Sequence, residues 1–259
     1  MTRYPIVILL LTLLLVACNT TGDSAAPSAA AVDTQRLLAA DDEPGLWMSH
    51  GRTYSEQRFS PLDEIDAGNA EKLGLAWSYD LDTRRGIEAT SLVVDGVMYM
   101  TGAWSIVHAI DARTGERLWT FDPQVPREKA KHTCCDVVNR GVAVWHGQLF
   151  FGALDGRLFA LDAATGAVRW QTTVADNAGG FSLTLAPLAL DGKIMVGVSG
   201  AEAGVRGLVD AYDAIPGEQL WRRFTVRAPG EPGSETWQGD AWQSGGGSTW
   251  LTGSFDPEV

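Results

Sequence analysis

The sequence predicts an all-β protein, a β-propeller whose blades each end on a docking tryptophan. Three observations predict it. Segments 109–119, 160–170 and 211–221 align with one another, so Asp111, Asp162 and Asp213 recur every 51 residues, as do Trp119, Trp170 and Trp221. A fixed period of this size marks stacked or radial supersecondary units. Within each unit two apolar runs flank a two-residue turn, Asp95-Gly96, His146-Gly147 or Asp191-Gly192. No helical periodicity competes with this pattern, and 29 Gly and 10 Trp stand beside only 8 Phe and 5 Tyr.

Each element of a unit has a local reason. Asp-Gly or His-Gly between apolar runs reads as a hairpin, because glycine accepts the positive φ of a tight primed turn. A third strand ends in Ala-x-Asp. The Asp then bonds backbone N–H groups across a turn that closes on Gly. A fourth strand carries the Trp, which is expected to dock on the neighbouring blade and hand its N–H to a carbonyl. A solenoid of stacked hairpins is the alternative architecture. Trp77, at the end of 73–77, closes an earlier, incomplete unit, and 245–259 begins another. A propeller must close its ring, so the sequence is expected to be the N-terminal portion of a longer propeller domain over 41–259.

Residues 1–17 read as a lipoprotein signal peptide. Arg3 precedes an apolar run over 6–17, too short for a permanent membrane span and suited to an export signal. The run ends Leu15-Val16-Ala17-Cys18, which resembles a bacterial lipobox, so Cys18 is the expected lipidation site. Asn19 follows, and the resemblance implies sorting to the outer membrane. Residues 18–40, rich in Ala, Ser, Thr, Gly and Asp over 19–34, are expected to form a flexible tether. Export places the remainder in the oxidising periplasm. The net charge of −12 and pI near 4.7 exclude a phosphate-neutralising nucleic-acid surface.

Three departures from the repeat draw attention. From turn glycine to repeat aspartate the distance is 15 residues in the first two units and 21 in the third. The extra residues fall within 199–207, a Gly-rich loop bearing Glu202, which is either a solvated surface carboxylate or an oxygen ligand for a hard cation. Second, Cys134 and Cys135 are adjacent. They are either separate thiols or a vicinal disulfide, and an oxidising compartment without another unlipidated Cys favours the bond. Third, Gly245-Gly246-Gly247 precedes Ser248 and Trp250, as a flexible loop with a core Trp or as backbone approaching something flat.

Together these features resemble the pyrroloquinoline-quinone (PQQ)-dependent alcohol dehydrogenases of the methanol and ethanol dehydrogenase type, from about Trp47 onward. The motifs are 51–62, Gly86-Ile87-Glu88-Ala89-Thr90, 133–141, 199–207 and 245–250. The resemblance implies an eight-bladed propeller with PQQ near its axis. It places a Cys134–Cys135 disulfide against one face of the cofactor and Trp250 against the other. Glu88 and Arg140 match the pair that meets a cofactor carboxylate, Thr184, Ser199, Gly200, Ala201 and Ser248 match further contacts, and Glu202 matches a ligand of the Ca²⁺ beside the quinone. The implied reaction is oxidation of a small alcohol to an aldehyde, with a cytochrome c or quinone as electron acceptor. The family's general base is an Asp that matches no residue here, so the 259 residues alone are expected to be inactive. Membrane contact is expected only through the lipid anchor.

Two alternatives compete. Outer-membrane propeller lipoproteins that scaffold barrel assembly share the signal, the period and the Trp spacing, and bind no quinone. Quinoprotein sugar dehydrogenases lack the adjacent cysteines.

Overall fold

In the computed structural model, which describes residues 29–175 and 180–258, twelve short strands form three four-stranded antiparallel sheets. The first sheet contains β1 (Leu92–Val94), β2 (Val97–Thr101), β3 (Val107–Asp111) and β4 (Arg117–Phe121). The second contains β5 (Ala143–Trp145), β6 (Gln148–Gly152), β7 (Arg157–Asp162) and β8 (Val168–Thr173). The third contains β9 (Leu188–Leu190), β10 (Lys193–Gly197), β11 (Leu208–Asp213) and β12 (Gln219–Phe224). Strands within each sheet are hydrogen-bonded in chain order. These are three successive blades, and the propeller reading holds.

The turn chemistry is as the residues dictate. At the three β-hairpins the pairs Asp95-Gly96, His146-Gly147 and Asp191-Gly192 all have positive φ at both positions, the signature of a primed turn that matches strand twist. At the later turn Asp111 Oδ1 accepts from the N–H groups of Arg113 and Thr114 at 2.9 Å, and Asp162 Oδ1 from Ala164 and Thr165 at 3.1 and 2.9 Å. Asp213 repeats the bond to Ile215 at 2.8 Å.

The tryptophans join the blades. Trp77, Trp119 and Trp170 donate Nε1–H to the carbonyls of Ala112, Ala163 and Ala214, each at 3.1 Å. Their rings lie on Gly115, Gly166 and Gly217, where an added Cβ would come within 2.5–2.7 Å of the indole. The period is thus a docking code, in which the Trp of one blade reads the turn of the next. Trp221 occupies the equivalent place on β12, yet is 39% exposed, because among the described residues no fourth sheet covers it. Residues 245–258 hold no strand. They run instead beside the third blade and return to the N-terminal segment, where Phe255 N donates to Tyr54 O and the two rings meet edge to face.

The tether expected over 18–40 requires correction across 30–40. Ala30, Val32, Leu37 and Ala40 are buried, and helix α1 (Thr34–Leu38) is capped by Asp33, which accepts from Arg36 N. The N–H groups of His146 and Gly147 donate to Val32 O and Ala30 O, while Arg36 pairs with Glu43 and with Asp95 in the first hairpin. The segment straps two neighbouring blades. Its composition is that of a linker, and its order comes from partners far along the chain. The signal peptide and Cys18 lie outside the described residues.

Candidate functional site

The insertion 199–207 is shaped by glycine. Gly200 has φ of 116°, and a Cβ there would sit 2.5 Å from Gly180 O. The chain then makes a single 3₁₀ turn, Ala201–Ala203, closed by left-handed Gly204, and presents Glu202 to solvent. Beneath it Ser182, Thr184 and Ser199 form a buried hydroxyl cluster. Ser199 Oγ donates to Ser182 O at 2.9 Å, so it accepts from Thr184 Oγ1 at 3.2 Å and from Ser182 Oγ at 2.8 Å.

Arg140 lies between two segments. Its N–H donates to Thr184 O at 2.9 Å, and its carbonyl accepts from Thr90 N at 3.1 Å. The side chain pairs with Glu88 at 2.7 Å, donates to Thr184 O at 3.5 Å, and places its guanidinium carbon 4.7 Å from the ring centroid of Trp250. Glu88, Arg140, Thr184, Ser199 and Trp250, far apart in sequence, therefore meet.

The Cys134 and Cys135 sulfurs are bonded, and both residues are exposed in a loop that enters positive φ at Cys135 and Asp136. Asp136 moors that loop to the Glu88 segment, through Arg85 at 2.7 Å and Gly86 N at 3.4 Å.

On the other side, the glycine run packs against the insertion. Gly207 N donates to Gly246 O at 2.7 Å and Gly246 N to Val205 O at 3.1 Å. A Cβ on Gly246 would touch Ala201 at 3.4 Å. Ser248 is half-buried beside Thr249, and Trp250 keeps 41% of its surface exposed. Gly200, Ala201 and Glu202 thereby stand in one assembly with Ser248 and Trp250.

Sequence reading missed the outer support of Arg140. Arg58 donates to Thr90 Oγ1 at 2.9 Å and to His50 Nε2 at 3.3 Å. Because arginine can only donate, Nε2 accepts and the His50 proton sits on Nδ1, which is buried without a partner. The motif 51–62 hinted at this region but not at the contact, which depends on chain return. Burial, then the charges of Arg58 and Arg140, push the His50 imidazole down from 6.5 to about 4. Between those values the unfolded chain takes up a proton that the folded chain refuses, so this contribution to stability declines as pH falls from about 6.5 toward 4. The variant His50→Gln is expected to lose less stability across that window, as read by urea midpoints at both ends. An unaltered acid sensitivity would assign it to other groups.

Among the described residues no group of three or more His, Cys, Asp or Glu side chains is placed to hold a metal ion. Glu202 is a single oxygen donor. The donor set around Arg140 is different in kind. A guanidinium beside hydroxyls and a partly exposed indole suits a flat, anionic organic group. A cleft of about 710 Å³ lined by Leu37, Arg52 and Phe255 contains none of these side chains.

Residues 47–259 match the family model described as PQQ, glucose/ethanol/alcohol dehydrogenase, β-propeller domain. The chain belongs to this family. It is 52% identical over 242 residues to the quinohemoprotein alcohol dehydrogenase ADH-IIG of Pseudomonas putida, covering 88% of this chain and 33% of that protein. The solved structure of ADHIIG superposes with a TM-score of 0.86 at 51% identity, over 90% of this chain and 36% of that one. A europium-containing methanol dehydrogenase superposes with a TM-score of 0.82 at 37% identity, over 86% and 42%. The chain thus spans about a third of the curated relatives it matches. Membership in a dehydrogenase propeller family runs against the scaffold alternative.

Proposed function

We propose that the protein belongs to a periplasmic, PQQ- and Ca²⁺-dependent dehydrogenase that oxidises small alcohols to aldehydes and passes the electrons to a cytochrome c or quinone acceptor. The observation that carries this reading is the convergence of Glu88, Thr184 and Trp250 on Arg140 in a chain of this family. The 52% identity to a quinohemoprotein alcohol dehydrogenase supports an alcohol as substrate. Lipidation of Cys18 and attachment to the outer membrane are part of the proposal, and no helix among the described residues is long and apolar enough to cross a membrane.

PQQ, when bound, supplies a quinone that takes two electrons from the alcohol, with Ca²⁺ as the Lewis acid beside it. The chain's own residues bind and orient. Arg140 holds a carboxylate through directional, charge-assisted hydrogen bonds, and Glu88 fixes the angle of the guanidinium. Thr184 and Ser199 offer hydroxyls from a buried network that has little freedom to reorganise. Trp250 supplies one flat face, and the Cys134–Cys135 pair a polarizable ridge for the other. Gly200 and Ala201 bring backbone close, Ser248 adds a hydroxyl, and Glu202 gives a hard oxygen to Ca²⁺.

The test is titration of PQQ into the Ca²⁺-supplemented protein, followed by quenching of tryptophan fluorescence and by dye reduction on adding a primary alcohol. Saturable quenching and alcohol-dependent reduction in the full-length enzyme are expected, and no saturable binding would overturn the reading. Arg140→Met is expected to weaken PQQ binding by about 2 kcal/mol, roughly thirtyfold, the scale of hydrogen bonds to a charged group. Retained affinity would remove Arg140 from the site. Thiol alkylation of the denatured, unreduced protein is expected to label neither Cys134 nor Cys135, and two labelled thiols would reject the ridge.

A further inference from the structure

Thr249 lies between two residues assigned to the cofactor, and it is bonded to both ends of the insertion that carries Glu202. Its Oγ1 accepts from Val198 N at 3.1 Å and donates to Leu208 O at 2.5 Å. Its backbone N–H donates to Val198 O at 2.8 Å. Val198 and Leu208 immediately flank 199–207, so one hydroxyl closes the neck of the loop. The close fit is visible at Gly197, where a Cβ would come within 2.2 Å of Thr249 Oγ1.

A second fastener lies within the loop, near its far end. Arg206 is 14% exposed, with its guanidinium carbon 3.8 Å from the ring centroid of Phe224 and 4.7 Å from that of Trp242. Its Nε donates to Val226 O at 2.8 Å. Val226 in turn lies against the glycine run, since a Cβ on Gly245 would meet it at 3.0 Å. The side chain therefore ties the insertion to β12 and to the segment leading into Gly245.

We infer that Thr249 is a positioning residue that, with Arg206, clamps the Glu202 insertion to the Ser248–Trp250 segment as one body. This rests on the cofactor reading for its purpose and on geometry alone for its existence. A threonine suits the task because it presents a donor and an acceptor from one atom on a β-branched, rotationally stiff stem. The two necks leave it no free choice of rotamer. A loop made mostly of small residues has little side-chain packing of its own, so its placement falls to such bonds.

The experiment measures amide hydrogen exchange in the full-length protein and in Thr249→Val, Thr249→Ser and Arg206→Lys. The reporters are the amides of Gly207 and Gly246, which bridge the two segments and make no bond to Thr249 itself. In Thr249→Val they are expected to exchange about tenfold faster together, while β7 amides keep their rates, which distinguishes an opened clamp from general unfolding. Thr249→Ser is expected to restore both rates to within about twofold, since it keeps the hydroxyl. Unchanged reporter rates in folded Thr249→Val, or no rescue in folded Thr249→Ser, would overturn the clamp. Should the Val variant fail to fold, Arg206→Lys decides, with faster paired exchange expected and wild-type rates refuting it.

A parallel PQQ titration reads the purpose. The Val variant is expected to bind roughly tenfold more weakly, the usual cost of removing a supporting contact behind a bound group. Wild-type affinity in an opened clamp would overturn its service to the cofactor. A wild-type protein with linked exchange and no PQQ binding would sink the functional reading and leave the clamp standing.

Discussion

Gly166→Val is expected to destabilise the protein by about 4 kcal/mol, enough to remove much of the stability of an ordinary domain. Two costs add. Gly166 has φ of +73°, a conformation that a β-branched residue adopts only under strain of roughly 1–3 kcal/mol. An added Cβ would also lie 2.7 Å from the Trp119 ring, and forcing atoms into a packed contact costs about 1–3 kcal/mol more. The ring has no room to retreat, because Trp119 Nε1 is bonded to Ala163 O in the same turn. Gly192 provides the control. It has the same φ of +73° with nothing within 4 Å of the added Cβ. Gly192→Val therefore carries the backbone cost alone, about 1–3 kcal/mol. Urea unfolding of the two variants separates backbone strain from docking. Equal losses would show that the Trp–Gly contact between blades contributes nothing to stability.

Most of the fold was legible because it is written locally and three times over. The two-residue turns, the Asp-bonded turns and the Trp period each need only a few neighbouring residues, and repetition confirms the reading. The candidate site was legible for a different reason. The insertion, the adjacent cysteines and the glycine run are departures from a pattern, and a repeat makes its own interruptions visible. Contacts that depend on chain return were not legible. Nothing local says that Ala30 and Val32 will accept bonds from the second hairpin, or that Arg58 reaches Thr90 behind Arg140. A linker-like composition gave no sign of a strap. Thr249 carries no local signal either, because the bonds it makes run to Val198 and Leu208, on both sides of a distant insertion.

The repeat also fixes burial without fixing chemistry. His108, Phe159 and Asp210 occupy one equivalent place in the three blades, paired across the sheet with Thr120, Gln171 and Arg222. All three are buried, at 6%, 2% and 0% exposure. Each blade solves the position differently. Burial holds the His108 imidazole below its usual range, where it borders Tyr79 and Thr120, and Phe159 stacks on Phe151. Asp210 gathers donors. A hydropathy pattern that expects an apolar residue here fails on the first and third blades, because the partners that make a buried imidazole or carboxylate tolerable come from elsewhere in the chain.

Asp210→Ala is accordingly expected to cost about 3–5 kcal/mol, the range for breaking a buried pair and stranding its partners. The carboxylate accepts from Tyr212 Oη at 2.9 Å, Gln219 Nε2 at 2.8 Å, and Arg222 Nε and Nη2 at 2.8 and 2.6 Å. Its hydrogen bonds hold the Arg222 guanidinium even further above its ordinary range. Arg222 also donates to Val174 O at 2.5 Å, so the same network fastens the third blade to the end of the second. Removing the carboxylate leaves four donor atoms on three side chains without their acceptor, and an interblade bond without its anchor. Asp210→Asn, of nearly the same size, is expected to lose less, because one acceptor oxygen remains. The double variant Asp210→Phe/Arg222→Gln transplants the pair found in the second blade, Phe159 and Gln171. It is expected to recover part of the loss, because a packed Phe with a neutral partner can replace a buried ionic pair at little net cost. Tyr212 and Gln219 stay unpartnered in it, so recovery is incomplete. Urea unfolding of the three variants orders them. A loss below about 1 kcal/mol in Asp210→Ala, the value of an exposed ion pair, would show that the cluster is solvated in solution and that the third blade does not depend on it.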